Sequence, residues 1–73
     1  MARKEIKSEI TGSVWKILKQ PGDAVGDEDS LMILESMKME IPVLAEASGK
    51  VAEIHVKEGD AVSEGQVLAV LEL

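Results

Sequence analysis

The lysine in the stretch LESMKMEIP, residues 34–42, is the side chain of this sequence best suited to covalent chemistry. A primary amine acts as a base or as a Schiff-base nucleophile only when desolvation or neighbouring cations disfavour its charged form. Glu35 and Glu40 flank Lys38 and would favour the ammonium ion instead. Lys38 is therefore a poor catalyst, but its flexible stem makes it a suitable attachment point for a group that a separate enzyme installs.

The remaining residue types do not assemble a second reactive site. The chain has no cysteine and a single histidine, His55, which excludes a disulfide scaffold and thiolate ligands and leaves an imidazole site without a second partner. There is also no glycine-rich phosphate loop and no carboxylate pair beside an obvious apolar pocket. We therefore expect no bound metal and no catalytic residue in this chain.

The charge of the chain narrows the classes of partner. Eight basic and fourteen acidic residues give a net charge of −6, which repels phosphate backbones and anionic lipid. The apolar runs are far shorter than the ~20 residues of a membrane-spanning helix, and the start MARKEIKSEI lacks the apolar core of a signal peptide. We expect no nucleic acid partner, no membrane partner and a cytoplasmic location.

An internal repeat organises the sequence into two similar units. When the chain is shifted by 37 residues, residues 4–36 align with residues 41–73 without a gap and 11 of 33 positions are identical. Unrelated segments of ordinary composition would share roughly two or three. The identical pairs include Gly12/Gly49, Val14/Val51, Gly22/Gly59, Leu34/Leu71 and Glu35/Glu72. Two copies of one unit therefore predict a single domain over residues 1–73.

Each unit contains the signals of a bulged strand and a tight turn. In GKVAEIHVKEGDAV the apolar residues Val51 and Ile54 are three apart, which breaks strict alternation and predicts a β-bulge near Ala52 and Glu53. The first unit repeats this spacing. In QPGDAV, Pro21 and Gly22 occupy the central positions expected for a type II turn, because proline fixes φ and glycine accepts a positive φ.

The turns divide each unit into four short strands, and the chain into eight. A short Ala-Val strand follows each Gly-Asp turn, and the runs LMILE and VLAVLE are apolar enough for buried strands but too short for independent helices. We expect an all-β fold in which two such units pack their apolar faces as a small two-sheet barrel or sandwich with an approximate twofold axis. Ile54 is expected in its core.

The repeat also relates the middle of the chain to its ends. The shift aligns Ser36 with Leu73 and Lys38 with Met1. The ends therefore occupy the position that is symmetry-related to the Lys38 hairpin. If the axis relates opposite poles of the barrel, both ends lie at one pole and Lys38 lies at the other, free to enter a second protein.

The motif ESMKME, with Lys38 between Met37 and Met39, resembles the attachment signature of biotinyl domains, the biotin carboxyl carrier modules of biotin-dependent carboxylases. The resemblance covers nearly the whole chain, through the G-x-V-x-x-I element, the GD-A-V turn, the Met-Lys-Met hairpin and the closing GQVLAVLE. It implies a flattened eight-stranded barrel of two four-stranded antiparallel sheets, with Lys38 on the hairpin between strands four and five. A biotin protein ligase would attach biotin to Lys38 as an amide.

The resemblance further implies a role as a carrier that is not itself an enzyme. Biotin on Lys38 would accept carboxylate at a biotin carboxylase and deliver it to an acyl-CoA or related acceptor at a carboxyltransferase. Met37 and Met39 would be flanking recognition residues with flexible apolar surface. Glu35 would serve either ligase recognition or a structural role, since the repeat matches it with Glu72.

Two alternative functions remain. The sister family uses the same fold to carry lipoate in 2-oxo acid dehydrogenase and glycine-cleavage systems, and its lysine usually follows an aspartate. Met37 therefore favours biotin. The second alternative is an unmodified barrel that serves only as an interaction domain.

Several positions depart from the family pattern. Glu28-Asp29 replaces the Gly65-Gln66 of the second unit, so the turn there must be shaped differently. The ungapped repeat leaves no insertion for the protruding thumb of some bacterial acetyl-CoA carboxylase carriers.

The chain is expected to be a free-standing attachment protein or an excised carrier domain, and Met1 favours the former. Trp15 is expected to cover an apolar edge.

Overall fold

The computed structural model describes residues 2–73 as eight β-strands in two four-stranded sheets. One sheet has the order β1-β8-β6-β3 and is called here the terminal sheet; the other has the order β5-β4-β2-β7 and is called the hairpin sheet. All strand pairs are antiparallel. The strands are β1 (Arg3–Lys7), β2 (Gly12–Ile17), β3 (Ala24–Val25), β4 (Ser30–Ser36), β5 (Met39–Leu44), β6 (Gly49–Ile54), β7 (Ala61–Val62) and β8 (Val67–Glu72). The expected all-β, eight-stranded fold is confirmed.

The shift of 37 residues exchanges the two sheets. It maps β1, β2, β3 and β4 onto β5, β6, β7 and β8, so the order β1-β8-β6-β3 becomes β5-β4-β2-β7. Each unit of the repeat therefore gives two strands to each sheet, and the two units interlock. The approximate twofold symmetry read from the sequence is present in the fold.

The core consists of two aliphatic clusters that the same symmetry relates. One cluster contains Val14 and Leu34, and the other contains their counterparts Val51 and Leu71; all four side chains are at most 2% exposed. Half-buried Ile54 packs against both clusters. The expectation that Ile54 is a buried core residue is thus corrected: its side chain contacts both clusters but is only half-buried.

The molecule is elongated, with extents of 36 × 18 × 17 Å. Leu34, near the end of β4, belongs to one cluster, whereas Leu71, near the end of β8, belongs to the other. The N–H of Leu73 donates to the carbonyl oxygen of Ala2, and β1 leads from there toward Thr11, which accepts the hydroxyl of Ser36 beside the turn. The Lys38 hairpin and the paired residues Ala2 and Leu73 therefore lie at opposite ends of the molecule. Met1, which the repeat aligns with Lys38, lies outside the described residues.

The Gly-Asp turns of the two units share one hydrogen-bond plan. The N–H of Asp23 donates to the carbonyl oxygen of Gln20 at 3.0 Å, and Gly22 has a φ of 97°. The carboxylate of Asp23 in turn accepts the N–H of Gln20 at 2.8 Å. In the second unit the N–H of Asp60 donates to the carbonyl oxygen of Lys57 at 3.0 Å, and the carboxylate of Asp60 accepts the N–H of Lys57 at 2.9 Å. The positive φ of this glycine confirms the predicted type II turn.

The other turn differs between the units, as expected. In the second unit Gly65 has a φ of 86°, whereas the residue at its place in the first unit, Glu28, is absent from the positive-φ residues. The first-unit turn still closes, because the N–H of Asp29 donates to the carbonyl oxygen of Gly26 at 3.1 Å. The connections after β1 and β2 span only residues 8–11 and 18–23, so these parts of the described chain contain no thumb-like insertion.

Both predicted bulges are present. The register of β2 with β4 shifts between Val14 and Lys16 and leaves Trp15 as the extra residue; that of β6 with β8 shifts between Val51 and Glu53 at Ala52. Such bulges bend a strand and increase its twist, which helps so small a barrel to close. Trp15 and Lys16 lie on one side of their strand, since the Lys16 Nζ is 5.7 Å from the centre of the Trp15 ring.

Candidate functional site

The Lys38 hairpin is a two-residue turn between β4 and β5. Ser36 and Met39 form the last strand pair, so Met37 and Lys38 alone make the connection. Their φ angles are 51° and 64°. Positive φ at both central residues is the pattern of a type I′ hairpin turn, which usually contains Asn-Gly. Met37 and Lys38 therefore hold a left-handed conformation that costs non-glycine residues about 1 to 2 kcal/mol each.

Contacts with the start of β2 support this turn. The hydroxyl of Ser36 donates to the carbonyl oxygen of Thr11 at 3.0 Å. Gly12 lies directly against the backbone of Glu35, so that a Cβ at this position would collide with the Glu35 carbonyl oxygen and lie 3.2 Å from the Cβ of Ser36. Sequence reasoning missed these supports. The sequence did indicate that Gly12 matters, because the repeat aligns it with a second glycine, Gly49. Gly49 approaches the Glu72 carbonyl in the same way.

The side chains at the tip of the hairpin point into solvent. Met37 is 91% exposed, Met39 is 60% exposed, and Lys38 is exposed. No ion pair within 4.0 Å involves the Lys38 ammonium group among residues 2–73. The amine is thus neither buried nor gripped by a carboxylate. A long accessible side chain of this kind suits attachment of a group as an amide, and Met37 does not act as packing for the hairpin.

Glu35 has a different environment from its symmetry counterpart. It pairs across the strands with Glu40, and both carboxylates are exposed. The counterpart, Glu72, instead has Arg3 and Lys50 as its cross-strand neighbours. Like charges directly opposite one another destabilise a strand pair, whereas opposite charges stabilise it. The repeat therefore does not give Glu35 the charge-paired setting of Glu72.

His55 belongs to a charged cluster on the terminal sheet. Its Nε2 lies 2.8 Å from Oε1 of Glu53, and the other carboxylate oxygen of Glu53 accepts a hydrogen bond from Arg3 at 3.3 Å.

Among residues 2–73 no group of three or more His, Asp or Glu side chains is arranged to hold a metal ion. Within the same residues, no helix is long and apolar enough to cross a membrane.

Comparison with known proteins finds matches over most of the chain. A family model described as "Biotin-requiring enzyme" matches residues 4–71. The biotinylated protein TB7.3 homolog of Mycobacterium leprae is 43% identical over 67 residues, which cover 92% of this chain and 94% of that protein.

Solved structures with the same fold include a urea carboxylase and a lipoyl domain. The crystal structure of the Kluyveromyces lactis urea carboxylase has a TM-score of 0.93 at 40% identity, covering 99% of this chain and 6% of that chain. The lipoyl domain of the 2-oxoglutarate dehydrogenase complex from Azotobacter vinelandii has a TM-score of 0.75 at 40% identity, covering 86% and 80%. With a family model that spans nearly its whole length, this chain belongs to the biotinyl/lipoyl family of carrier domains.

Proposed function

We propose that this carrier domain is a biotin carboxyl carrier, in which a biotin protein ligase attaches biotin to the Nζ of Lys38. The observation that carries the proposal is the position of Lys38 on an exposed two-residue turn, between two exposed methionines. The similarity to a biotinylated mycobacterial protein supports biotin as the attached group. The domain has no catalytic role of its own and works in the cytoplasm.

The attachment step requires an accessible amine that can lose a proton. The neutral Nζ attacks the acyl carbon of the biotinyl adenylate held by the ligase; an amide bond forms, the bond from that carbon to the phosphate oxygen breaks, and AMP leaves. The proton lost from the amine passes to the ligase or to solvent. This chain contributes an exposed Lys38 whose backbone is fixed by the turn and by the bond from Ser36 to Thr11.

After attachment, the domain presents the modified side chain to two further enzymes in turn. Biotin supplies a ureido nitrogen that can carry a carboxyl group from a biotin carboxylase to a carboxyltransferase acting on an acyl-CoA or related acceptor. Met37 and Met39 offer flexible, polarisable apolar surface that can adapt to different partners. Because Ala2 and Leu73 lie at the far end of the molecule, the hairpin can enter an active site unobstructed.

Intact mass spectrometry tests this function. The purified chain is incubated with a bacterial biotin protein ligase, biotin and ATP, and we expect a mass gain of one biotinyl group. Lys38→Arg should abolish the gain, whereas the control Lys50→Arg, on β6, should retain it. No gain in the wild-type chain, or a gain that persists in Lys38→Arg, would contradict the assignment.

The second candidate is a lipoyl carrier, which the 40% identity to a lipoyl domain favours. A parallel incubation with lipoate, ATP and a lipoate ligase measures the rate at which Lys38 is lipoylated. Faster lipoylation than biotinylation of Lys38 would replace the first assignment by this one. An unmodified interaction domain would gain neither group, and its binding to partners would survive Lys38→Ala.

A further inference from the structure

The twofold symmetry provides an internal comparison of the outer faces of the two sheets. Each position on the hairpin sheet has a counterpart 37 residues away on the terminal sheet, on nearly the same backbone. Residue types that differ between counterparts are therefore not dictated by the fold. The outer faces, which point away from the core, differ strongly.

The outer face of the terminal sheet is charged, and its charges are paired. Glu53 contacts both Arg3, at 3.3 Å, and His55, at 2.8 Å, while Lys7 lies 4.0 Å from Glu5. These residues are exposed. This is an ordinary solvated sheet surface, and it shows that the fold accepts charged or polar side chains at positions 3, 5, 7, 53 and 55.

The outer face of the hairpin sheet is more apolar, although the counterparts of Glu53 and Arg3 are the charged residues Lys16 and Glu40. Trp15 replaces Ala52, Leu18 replaces His55 and Leu44 replaces Lys7; their exposed fractions are 43%, 47% and 41%. Exposed Pro42 replaces Glu5, and half-buried Ile33 is the counterpart of Val70. We call this surface the apolar face; its members are Trp15, Leu18, Ile33, Pro42 and Leu44.

The members of the apolar face lie on or beside three neighbouring strands, and the charged Lys16 lies among them. Ile33 of β4 pairs with Lys16 of β2 on one side and with Pro42 of β5 on the other. The surface therefore crosses three strands. Contiguous exposed apolar surface on a soluble domain marks an interaction site more often than scattered single residues do.

The apolar face lies close to the Lys38 hairpin and is separated from it by the exposed carboxylates of Glu35 and Glu40. Along β4 and β5 the pair Ile33–Pro42 is followed by Leu34–Ile41, by Glu35–Glu40 and then by Ser36–Met39 at the turn. Any enzyme that receives Lys38 must cover this tip. A standard protein interface uses about 20 to 30 residues on each side, many more than the tip supplies, so the contact must extend onto an adjoining face.

We propose that the biotin protein ligase docks on the apolar face while it modifies Lys38. This inference rests on the proposed function and names the surface by which the ligase recognises the domain. The ligase surface that fits is apolar, with a cationic group opposite Glu35 and Glu40. Those two carboxylates lie between the apolar face and the turn and face each other without a cationic cross-strand neighbour.

The symmetry also supplies the test. The double variant Trp15→Ala/Leu18→His gives the hairpin sheet the residues that its counterpart positions already carry, so the backbone should tolerate it. The measurement is the rate of biotinyl transfer by a purified bacterial biotin protein ligase as a function of carrier concentration. We expect KM for the carrier to rise at least tenfold with kcat within twofold of wild type, because the lost contacts bind ground state and transition state alike.

Controls separate docking from damage to the fold. His55→Leu on the terminal sheet should leave KM within twofold of wild type, and circular dichroism melts should show that each variant is folded. Leu44→Lys, which copies Lys7, is a second probe should the double variant unfold, and it should also raise KM. An unchanged KM in either folded apolar-face variant overturns the proposal.

Two other outcomes are distinct from that result. If the wild-type chain gains no biotin at all, the proposed function itself fails, and the docking proposal fails with it. If sedimentation shows a wild-type dimer that Trp15→Ala/Leu18→His converts to monomer, with KM unaltered, the apolar face belongs to a second copy of this chain and the ligase assignment is wrong.

Discussion

Ser36 and Met39 face each other as the last strand pair of β4 and β5, and the only residues between them are Met37 and Lys38 with φ angles of 51° and 64°. So short a connection leaves the turn little freedom, and the Ser36 hydroxyl fixes it to Thr11. The amine of Lys38 thus extends from a rigid base into solvent. Its reach comes from its own side chain and not from movement of the loop.

Replacing Met37-Lys38 by Asn-Gly should stabilise the domain. These residues are the preferred pair for a type I′ turn, because asparagine and glycine accept positive φ with little strain. We expect the free energy of unfolding in urea to rise by about 1 kcal/mol. A loss of stability would show that the methionine and lysine side chains stabilise the turn in some other way.

Lys38→Ala should abolish modification with little effect on folding. The side chain is exposed and has no ion-pair partner within the described residues, so the free energy of unfolding should change by less than about 0.5 kcal/mol. Urea melts of Lys38→Ala and of the wild type measure this. A cost above 1 kcal/mol would indicate an unrecognised structural role.

Leu34→Ala should destabilise the domain by about 2 to 5 kcal/mol, because this side chain is 1% exposed at the centre of one core cluster. Ile54→Ala should cost less than Leu34→Ala, since Ile54 is only half-buried where the two clusters meet. Thermal and urea melts give the order of the two costs. The reverse order would contradict the description of the core.

Gly12→Ala should disturb the hairpin, since the added Cβ collides with the Glu35 carbonyl oxygen. We expect a loss of about 1 to 3 kcal/mol in stability and slower biotinylation of Lys38. Gly49→Ala is the matched control, because it creates the same collision with Glu72 at the far end of the molecule. It should destabilise similarly but leave the biotinylation rate of the folded protein unchanged.

Met37→Asp should weaken biotinylation. Met37 is 91% exposed beside the proposed attachment point, and a carboxylate there replaces adaptable apolar surface by a charge that the ligase must desolvate. We expect KM of the carrier for biotin protein ligase to rise at least fivefold, with stability nearly unchanged. Met39→Leu, which keeps an apolar side chain, is the control and should stay near wild type.

Much of this fold could be read from local signals in the sequence. Pro21-Gly22 specifies its turn through backbone preferences, and the three-residue step from Val14 to Ile17 reveals a bulge because strand side chains otherwise alternate. Because the two units of the repeat are similar in sequence, a turn or bulge read in one unit predicts the same feature in the other. The exposed position of Lys38 followed from its place between the two copies.

The features that sequence reasoning missed depend on contacts between distant residues. Nothing local favours positive φ at Met37 and Lys38; pairing of Ser36 with Met39 and the bond to Thr11 impose it. Ile54 packs against both clusters and is nevertheless only half-buried, which residue type alone does not reveal. The contrast between the outer faces became visible only once the strand register placed each residue opposite its counterpart.

Because the strands of the two units interlock, the turn at Lys38 also serves as the covalent connection between the units. A lone 37-residue unit would leave both sheets half built, and only a second unit could complete them. Joining two units in one chain requires a single covalent connection, and Met37-Lys38 forms it. At the opposite end the N–H of Leu73 donates to the carbonyl oxygen of Ala2 at 2.9 Å. A circular permutant linked from residue 73 to residue 2 and opened between residues 37 and 38 should keep every strand pair, yet present the amine on a frayed chain end.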